Sequence, residues 1–166
     1  IFVVLGLGFV TELIFHTPAP ETPGYKIEVA DTAGTQAPAE EAAKEEPIAT
    51  LLASADIGAG EKTLKKCVAC HSFDEGGANK VGPHLYDVLG RSIAAVGDFN
   101  YSGAMKEYAA GKQWTYDELN GFLTKPSDWI KGTAMGFAGL KNAQERANLI
   151  AYIRTLSGAP QPLPAN

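Results

Sequence analysis

Cysteine is scarce in this sequence of 166 residues, which contains only two. Two cysteines can form at most one disulfide within the chain, so a scaffold held by several disulfides is excluded. A zinc site made only of cysteine is excluded for the same reason. Histidine is almost as rare, with three residues, and methionine occurs twice. A metal or cofactor site that uses sulfur or imidazole ligands therefore has few candidate side chains in this chain.

The sequence also lacks an excess of positive charge, since its formal net charge is −5. The net negative charge lies in the first third of the chain, where residues 1–50 contain eight acidic residues and two lysines, whereas the acidic and basic residues of 51–166 nearly balance. Proteins that bind nucleic acid use clusters of lysine and arginine to neutralise phosphates. We therefore expect no nucleic-acid partner.

The first 15 residues, IFVVLGLGFVTELIF, are almost continuously apolar apart from Thr11 and Glu12. As a helix they would rise about 22 Å, which is short of the roughly 20 residues that a bilayer requires. We interpret residues 1–15 as part of a longer transmembrane anchor. The alternative is a cleaved signal peptide, but no small-x-small cleavage site follows Phe15. Both interpretations predict that the rest of the chain is exported.

Residues 16–50 are rich in proline, alanine, threonine and glutamate, and this composition is typical of a disordered linker. A coil of this length would span about 30 to 35 Å. Within it, Tyr25, Ile27 and Val29 alternate with polar residues in a short strand-like pattern. A chance alternation is the favoured interpretation of Tyr25 to Val29, and docking on a partner is the alternative.

Residues 51–160 are predicted to form one globular domain, followed by a short tail, 161–166. The pattern predicts an all-α fold, because helices are indicated from Ser54 or Asp56 to Cys67, from Thr115 to the proline at 126, and over residues 143–156. No stretch has a convincing strand pattern, and no internal repeat occurs. Residues 73–114 show no strong periodicity, so this small helical domain needs further material in its core.

The residues Cys67-Val68-Ala69-Cys70-His71 form a CxxCH motif, which is the attachment sequence for c-type haem. Two thiols three residues apart near the end of a helix can reach the two vinyl groups of one porphyrin. The adjacent histidine then lies under the iron. The motif predicts one covalent haem.

Two other interpretations of the motif are weaker. A zinc site would need four nitrogen or sulfur ligands, and outside the motif the chain offers only His16 and His84 as histidines. A thioredoxin-like redox pair would need a strand and a βαβ context, which the sequence lacks.

A haem iron bound by His71 needs a second axial ligand unless the site is open. The candidates are Met135, Met105, His84 and His16. Met135 is favoured because it lies in the glycine-rich sequence WIKGTAMGFAGL, where a loop can aim its side chain. Lysine ligation and an open site are further options.

Residues from about Asp56 to Leu156 resemble class I cytochrome c, close to the mitochondrial type. The matching runs, in order, are KCVACHSFDEGGANKVGPHLYDVLGR, FNYSGAM, KPSDWIKGTAMGFAGLK and ERANLIAYIRTL. With its apolar N-terminus and linker, the whole chain resembles the membrane-anchored cytochromes c of bacterial respiratory or photosynthetic chains.

The resemblance implies one covalent haem c, with His71 and Met135 as its axial iron ligands. Cys67 and Cys70 would carry the thioethers. The backbone carbonyl of Pro83 would accept the free ring N–H of His71, which fixes the imidazole tautomer. A thioether ligand favours ferrous iron and so raises the reduction potential.

The resemblance also assigns residues around the haem. Those expected to hold the propionates are Arg91, Tyr101 and Trp114, assisted by Ser102. Phe122 occupies a position where the family often has a tyrosine that bonds the methionine sulfur. We therefore expect Met135 to be held by packing and by Thr133. Gly60 and Leu64 of the first helix are expected to meet Leu149 and Tyr152 of the last.

The function implied by the resemblance is one-electron transfer by a non-enzymatic carrier. The donor would be a cytochrome bc complex, and the acceptor a terminal cytochrome c oxidase or a photosynthetic reaction centre. The carrier would be anchored in the bacterial inner membrane with its haem domain on the periplasmic side. Four lysines would serve docking: Lys66, Lys80, Lys125 and Lys131. The alternative is a haem enzyme or sensor with an open distal site, such as a peroxidase.

Overall fold

The computed structural model of the chain describes residues 46–164. The chain separates into two units, Ile1–Glu41 and Ala42–Asn166, and the described residues all belong to the second. The predicted anchor (1–15), the Tyr25 to Val29 segment and most of the predicted linker lie outside the described residues. His16 and the last two residues of the predicted tail lie outside them as well.

The described part of the chain is helical. Its helices are α1 (Ile48–Ala53), α2 (Ile57–Leu64), α3 (Gly103–Tyr108), α4 (Tyr116–Thr124), α5 (Pro126–Trp129) and α6 (Ala143–Thr155). Residues 46–164 contain no strand, and their only β-type pairing is an isolated bridge between Ser92 and Gln113. The predicted all-α class is confirmed for this part. No helix within it is both long and apolar enough to cross a membrane.

Helix α1 begins inside the segment predicted to be linker. Ile48, Leu51 and Leu52 are buried in the core, and α1 packs against α4 and α6. The predicted boundary at residue 50 therefore falls within a helix. The composition around Pro47 is that of a linker, but the burial of Ile48 depends on helices far away in the sequence. Only the folded chain brings those helices together.

Helices α2 and α6 cross at very short distance. A Cβ atom added to Gly60 would lie 2.1 Å from the carbonyl oxygen of Asn148 and 2.8 Å from the Cβ of Tyr152. The contact expected between Gly60 and the last helix is thus present, and glycine is required for it. Asp56 starts α2, because its side chain accepts a hydrogen bond from the Ala59 N–H at 3.1 Å.

The capping box predicted for α4 is half formed. Thr115 Oγ1 accepts from the Glu118 N–H at 3.1 Å, as expected. The Glu118 carboxylate instead accepts from the Tyr108 hydroxyl at 2.6 Å and from the Trp129 indole N–H at 3.0 Å. The helix ends at Thr124, and the proline expected to stop it begins α5. Glu118 therefore joins α3, α4 and α5.

The predicted tail begins at a residue that is bound to the domain. The carbonyl oxygen of Gln161 accepts hydrogen bonds from the Tyr116 hydroxyl at 3.2 Å and from Arg154 Nε at 2.5 Å. The domain thus extends at least one residue beyond the predicted boundary at 160. The sequence GAPQPLPAN has no helical pattern, and these contacts are made by an irregular segment that periodicity does not detect.

The crossing of α2 and α6 leads to a prediction about Gly60→Ala. The added methyl group would overlap the Asn148 carbonyl, so the two helices must move apart. We expect the haem-loaded protein to lose about 1 to 3 kcal/mol of unfolding free energy, measured by guanidinium denaturation. Gly58→Ala is the matched control, because its new Cβ would meet only Asp56 Oδ1, at 3.3 Å. Equal stabilities of the two variants would contradict the prediction.

Candidate functional site

The CxxCH motif follows α2 in a continuation of helical turns. The Cys67 N–H donates to Leu64 O at 2.8 Å, and the N–H groups of Cys70 and His71 both donate to Cys67 O at 3.0 Å. This tight winding places both thiols and the imidazole along the wall of one cavity. Burial raises the pKa of the Cys67 thiol. The helix predicted to run to Cys67 is regular only to Leu64.

The orientation of His71 is fixed by one hydrogen bond. Its Nδ1 lies 2.7 Å from the carbonyl oxygen of Pro83. Because a carbonyl only accepts, Nδ1 carries the proton, and the lone pair is left on Nε2. Burial lowers the pKa of His71, whereas the bond to Pro83 acts in the opposite direction. A neutral imidazole with a free Nε2 lone pair is the form that binds a metal.

Residues 80–83 are hydrogen-bonded to the CxxCH motif. The Gly82 N–H donates to Cys70 O, and Lys80 Nζ donates to Val68 O, both at 2.9 Å. A Cβ on Gly82 would lie 2.2 Å from Cε1 of His71, so the backbone of this glycine supports the ring directly. Gly82 is a residue of the site that the sequence pattern did not reveal. The signal for it was its place immediately before the proline that was assigned to His71.

A single cavity of about 560 Å³ contains all the predicted site residues in its wall. They are Cys67, Cys70, His71, Pro83, Arg91, Tyr101, Ser102, Trp114, Phe122, Thr133 and Met135. Most of the remaining wall is apolar. It includes Phe73, Leu85, Val88, Phe99, Leu119 and Phe137, together with Leu149 and Ile153 of α6. The sequence pattern does not assign these residues to the site, because an apolar residue facing a cavity has the same pattern as one facing the core.

The residues expected to hold propionates lie together at the cavity. The Arg91 guanidinium is half-buried and donates to Tyr86 O at 3.1 Å and to His84 O at 2.9 Å. Burial lowers the pKa of Arg91 and raises that of Tyr101. Ser102 Oγ accepts from the N–H of Met105 and so caps α3. The structure brings these groups to the wall, and their contact with propionates remains a prediction.

Both methionines line the cavity, but their surroundings differ. Met135 lies half-buried in the irregular segment between α5 and α6, where its N–H donates to Thr133 Oγ1 at 3.3 Å. Met105 is buried within helix α3. His84 is not part of the cavity wall. Met135 thus remains the predicted ligand, and His84 is the weaker candidate.

Phe122 is buried in the cavity wall, where it replaces the tyrosine often found in the family. Its ring packs at an angle on Trp114, with centroids 5.1 Å apart. A phenylalanine has no hydroxyl to donate to a sulfur atom. The thioether of Met135 therefore has to be positioned by packing and by the backbone of its own segment.

These residues fit a covalent haem. The two thiols lie in the wall of a large and mostly apolar cavity, and His71 presents a free ring nitrogen. Within the described residues, no three or more His, Cys, Asp or Glu side chains are grouped to hold a metal ion. His71 and Met135 both line this cavity and are the residues that would hold the iron of a haem there. Arg91 in the wall is a cation that would pair with the negative propionates of a haem.

Comparisons with known proteins agree with this geometry. The family model described as Cytochrome c matches residues 57–157. A protein of Bradyrhizobium diazoefficiens described as a cytochrome c homolog is 44% identical over 164 residues, covering 98% of this chain and 88% of that protein. The cytochrome c2 of Agrobacterium tumefaciens is 44% identical over 99 residues, covering 59% of this chain and 89% of that protein.

A solved structure also resembles the chain. Cytochrome cH from Methylobacterium extorquens superposes with a TM-score of 0.55 at 33% sequence identity. The superposition covers 60% of this chain and 98% of that structure. The helical arrangement described above is therefore that of class I cytochrome c.

The contact between Gly82 and His71 leads to a prediction about Gly82→Ala. The added methyl group would displace the imidazole from its position beside Pro83. We expect a lower yield of haem-loaded protein and a lower unfolding free energy, by about 1 to 3 kcal/mol. Haem absorbance per polypeptide and guanidinium denaturation measure the two effects. Gly97→Ala, where nothing lies within 4 Å of the new Cβ, should behave as the wild type, and a normal yield for Gly82→Ala would refute the prediction.

Proposed function

The chain belongs to the cytochrome c family, and from this premise we propose that it is a membrane-tethered one-electron carrier. Members of the family bind haem c covalently and carry electrons between redox partners; they are not enzymes. We propose a cytochrome bc complex as the donor and a terminal cytochrome c oxidase, or a photosynthetic reaction centre, as the acceptor. The haem domain would face the periplasm from the bacterial inner membrane.

One observation carries the carrier function: Cys67, Cys70, His71 and Met135 line one cavity. When bound there, haem c supplies an iron that gains and loses one electron without bond formation to a substrate. Pro83 holds the neutral tautomer of His71 in place. The apolar wall limits water, and a low dielectric strengthens the effect of each nearby charge and dipole.

The alternative function is a haem enzyme or sensor with an open distal position. It requires that no side chain of the chain occupies the sixth coordination site. Met135 and Met105 both line the cavity, so two thioethers are available to close that site. This availability favours the carrier.

The tether proposal rests on the N-terminal sequence. Residues 1–15 are nearly all apolar and are followed by a segment rich in proline and acidic residues. The match to the Bradyrhizobium protein covers almost the whole chain, so it includes this N-terminal part. An anchor would raise the local concentration of the carrier at membrane-bound partners.

The charges on the predicted docking lysines are partly neutralised within the chain. Lys66 pairs with Glu145 at 2.6 Å, and Lys125 pairs with Asp128 at 2.9 Å. Among the four lysines, Lys80 and Lys131 form no ion pair with the residues the structure describes. Electrostatic attraction to an acidic partner should therefore be modest, and a tether can compensate for slow encounter.

The ligand assignment predicts the effect of Met135→Ala in the haem-loaded protein. We expect the haem to stay attached while the reduction potential falls on the order of 100 mV or more, because a thioether favours ferrous iron. The weak red absorption band of ferric iron bound to methionine sulfur should disappear. Met105→Leu is the control, because it removes the other cavity thioether at similar volume, and it should leave the band and the potential unchanged. The opposite pattern would assign the ligand to Met105, and an unchanged band in both variants would reject both methionines.

The tether hypothesis predicts the effect of deleting residues 1–45. This deletion keeps the buried Ile48 of α1, whereas a deletion through residue 50 would remove it. We expect an unchanged spectrum and potential but a large loss of electron flux in membranes at low carrier concentration. Adding the truncated protein at high concentration should restore the flux, with a weak dependence on salt. Full flux from the truncated protein at low concentration would contradict the tether.

A further inference from the structure

Arg146 of α6 is fully buried, with no exposed surface. It does not line the haem cavity, and the site described above does not use it. Burying an arginine is costly unless its donors find acceptors. The acceptors of Arg146 therefore indicate what its burial stabilises.

The guanidinium of Arg146 connects three parts of the fold. Nε donates to Asn120 Oδ1 on α4 at 2.8 Å. Nη1 donates to Leu140 O at 2.7 Å and to Lys141 O at 3.0 Å. These carbonyls lie at the end of residues 130–142, which join α5 to α6 and are called the methionine loop below because they carry Met135. Arg146 thus ties the C-terminal end of the methionine loop to α4 and α6.

Two backbone contacts reinforce the same end of the methionine loop. The Leu140 N–H donates to Leu123 O at 2.8 Å. Gly139, at φ +92°, packs so closely on α4 that a Cβ there would lie 2.0 Å from Thr124 O. Residues other than glycine rarely adopt this backbone conformation, so both the φ angle and the close contact with α4 require glycine at this end of the loop.

The middle of the methionine loop forms fewer hydrogen bonds than its C-terminal end. Between residues 131 and 138, the hydrogen bonds found among the described residues are Thr133 N–H to Ile130 O and Met135 N–H to Thr133 Oγ1, both within the loop. Phe122 offers the sulfur no hydroxyl. Met135 and Phe137 pack against the core. Apart from this packing, the position of Met135 at the cavity depends on how well the two ends of the loop are anchored.

We propose that Arg146 is a positioning residue that keeps the methionine loop closed and thereby sets how often Met135 leaves the cavity. The proposal rests on the proposed function, because it takes Met135 to be the distal iron ligand. Arg146 acts without touching the cavity, through Leu140 and Lys141. The guanidinium donates to its acceptors from two separate nitrogen atoms, Nε and Nη1, whereas the donors of lysine are all on one nitrogen and cannot occupy both positions at once.

Imidazole binding to the ferric, haem-loaded protein measures loop opening directly. Imidazole can bind the iron only when the distal ligand has left, so its apparent affinity rises with the open fraction. For Arg146→Lys we expect the apparent dissociation constant to fall by about tenfold relative to the wild type. Hydrogen exchange of the Leu140 N–H should accelerate by a similar factor, and this readout does not depend on electron transfer.

Two variants on the same helix separate loop opening from general loss of stability. Ile150 is fully buried but does not line the cavity, so Ile150→Val should lower global stability without changing imidazole affinity. Glu145→Gln removes the exposed ion pair with Lys66 and should also leave the affinity unchanged. If Ile150→Val changes imidazole affinity as much as Arg146→Lys, Arg146 is merely structural and the proposal is refuted. Wild-type affinity in Arg146→Lys would refute it as well.

If Arg146→Lys does not fold, Asn120→Ala takes its place. This variant removes only the Nε acceptor and leaves the two loop carbonyls bonded. We expect a smaller increase in imidazole affinity in the same direction, and no increase would overturn the proposal.

Met135→Ala separates failure of the ligand assignment from failure of the role proposed for Arg146. This variant should bind imidazole without any opening step. If Met135→Ala binds imidazole with wild-type affinity, the ligand assignment itself is rejected. If Met135→Ala binds imidazole more tightly but Arg146→Lys has wild-type affinity, only the role of Arg146 is rejected.

Discussion

The close approach of α2 and α6 at Gly60 is the constraint on which the site depends. Helix α2 leads directly into the CxxCH motif, so its position sets where both thiols and His71 begin. Helix α6 places Leu149 and Ile153 in the cavity wall. A side chain at residue 60 would push the two helices apart, and this movement would displace both the motif residues that follow α2 and the two wall residues of α6. One glycine that does not line the cavity therefore constrains the relative position of two parts of its wall.

The two predicted axial ligands are held in different ways. His71 is fixed by a hydrogen bond to Pro83 and by the backbone of Gly82, both of which belong to a segment bonded to the motif itself. Among residues 46–164 the Met135 side chain has no such hydrogen-bond partner, and its position depends on packing against the core and on the ends of the methionine loop. A side chain held by a short local network of hydrogen bonds leaves its position rarely, whereas one held by a long loop leaves its position whenever the loop opens.

The distribution of charge bears on how such a carrier would meet its partners. Two of the four candidate docking lysines, Lys66 and Lys125, are in ion pairs within the chain. Exposed pairs contribute little to stability, but they reduce the charge that a partner encounters. Weak steering and a tethered location are compatible, because a tether supplies proximity that does not depend on salt.

The sequence by itself determined the features that depend on neighbouring residues. The CxxCH spacing predicted the haem, and the caps at Asp56 and Thr115 predicted helix starts, because each of these uses side chains within a few positions. The tertiary structure alone decided that Ile48 is core, that Gly82 supports His71 and that Arg146 is buried against the methionine loop. These features depend on contacts between segments far apart in the chain, and an isolated isoleucine, glycine or arginine carries no local signal of such a contact.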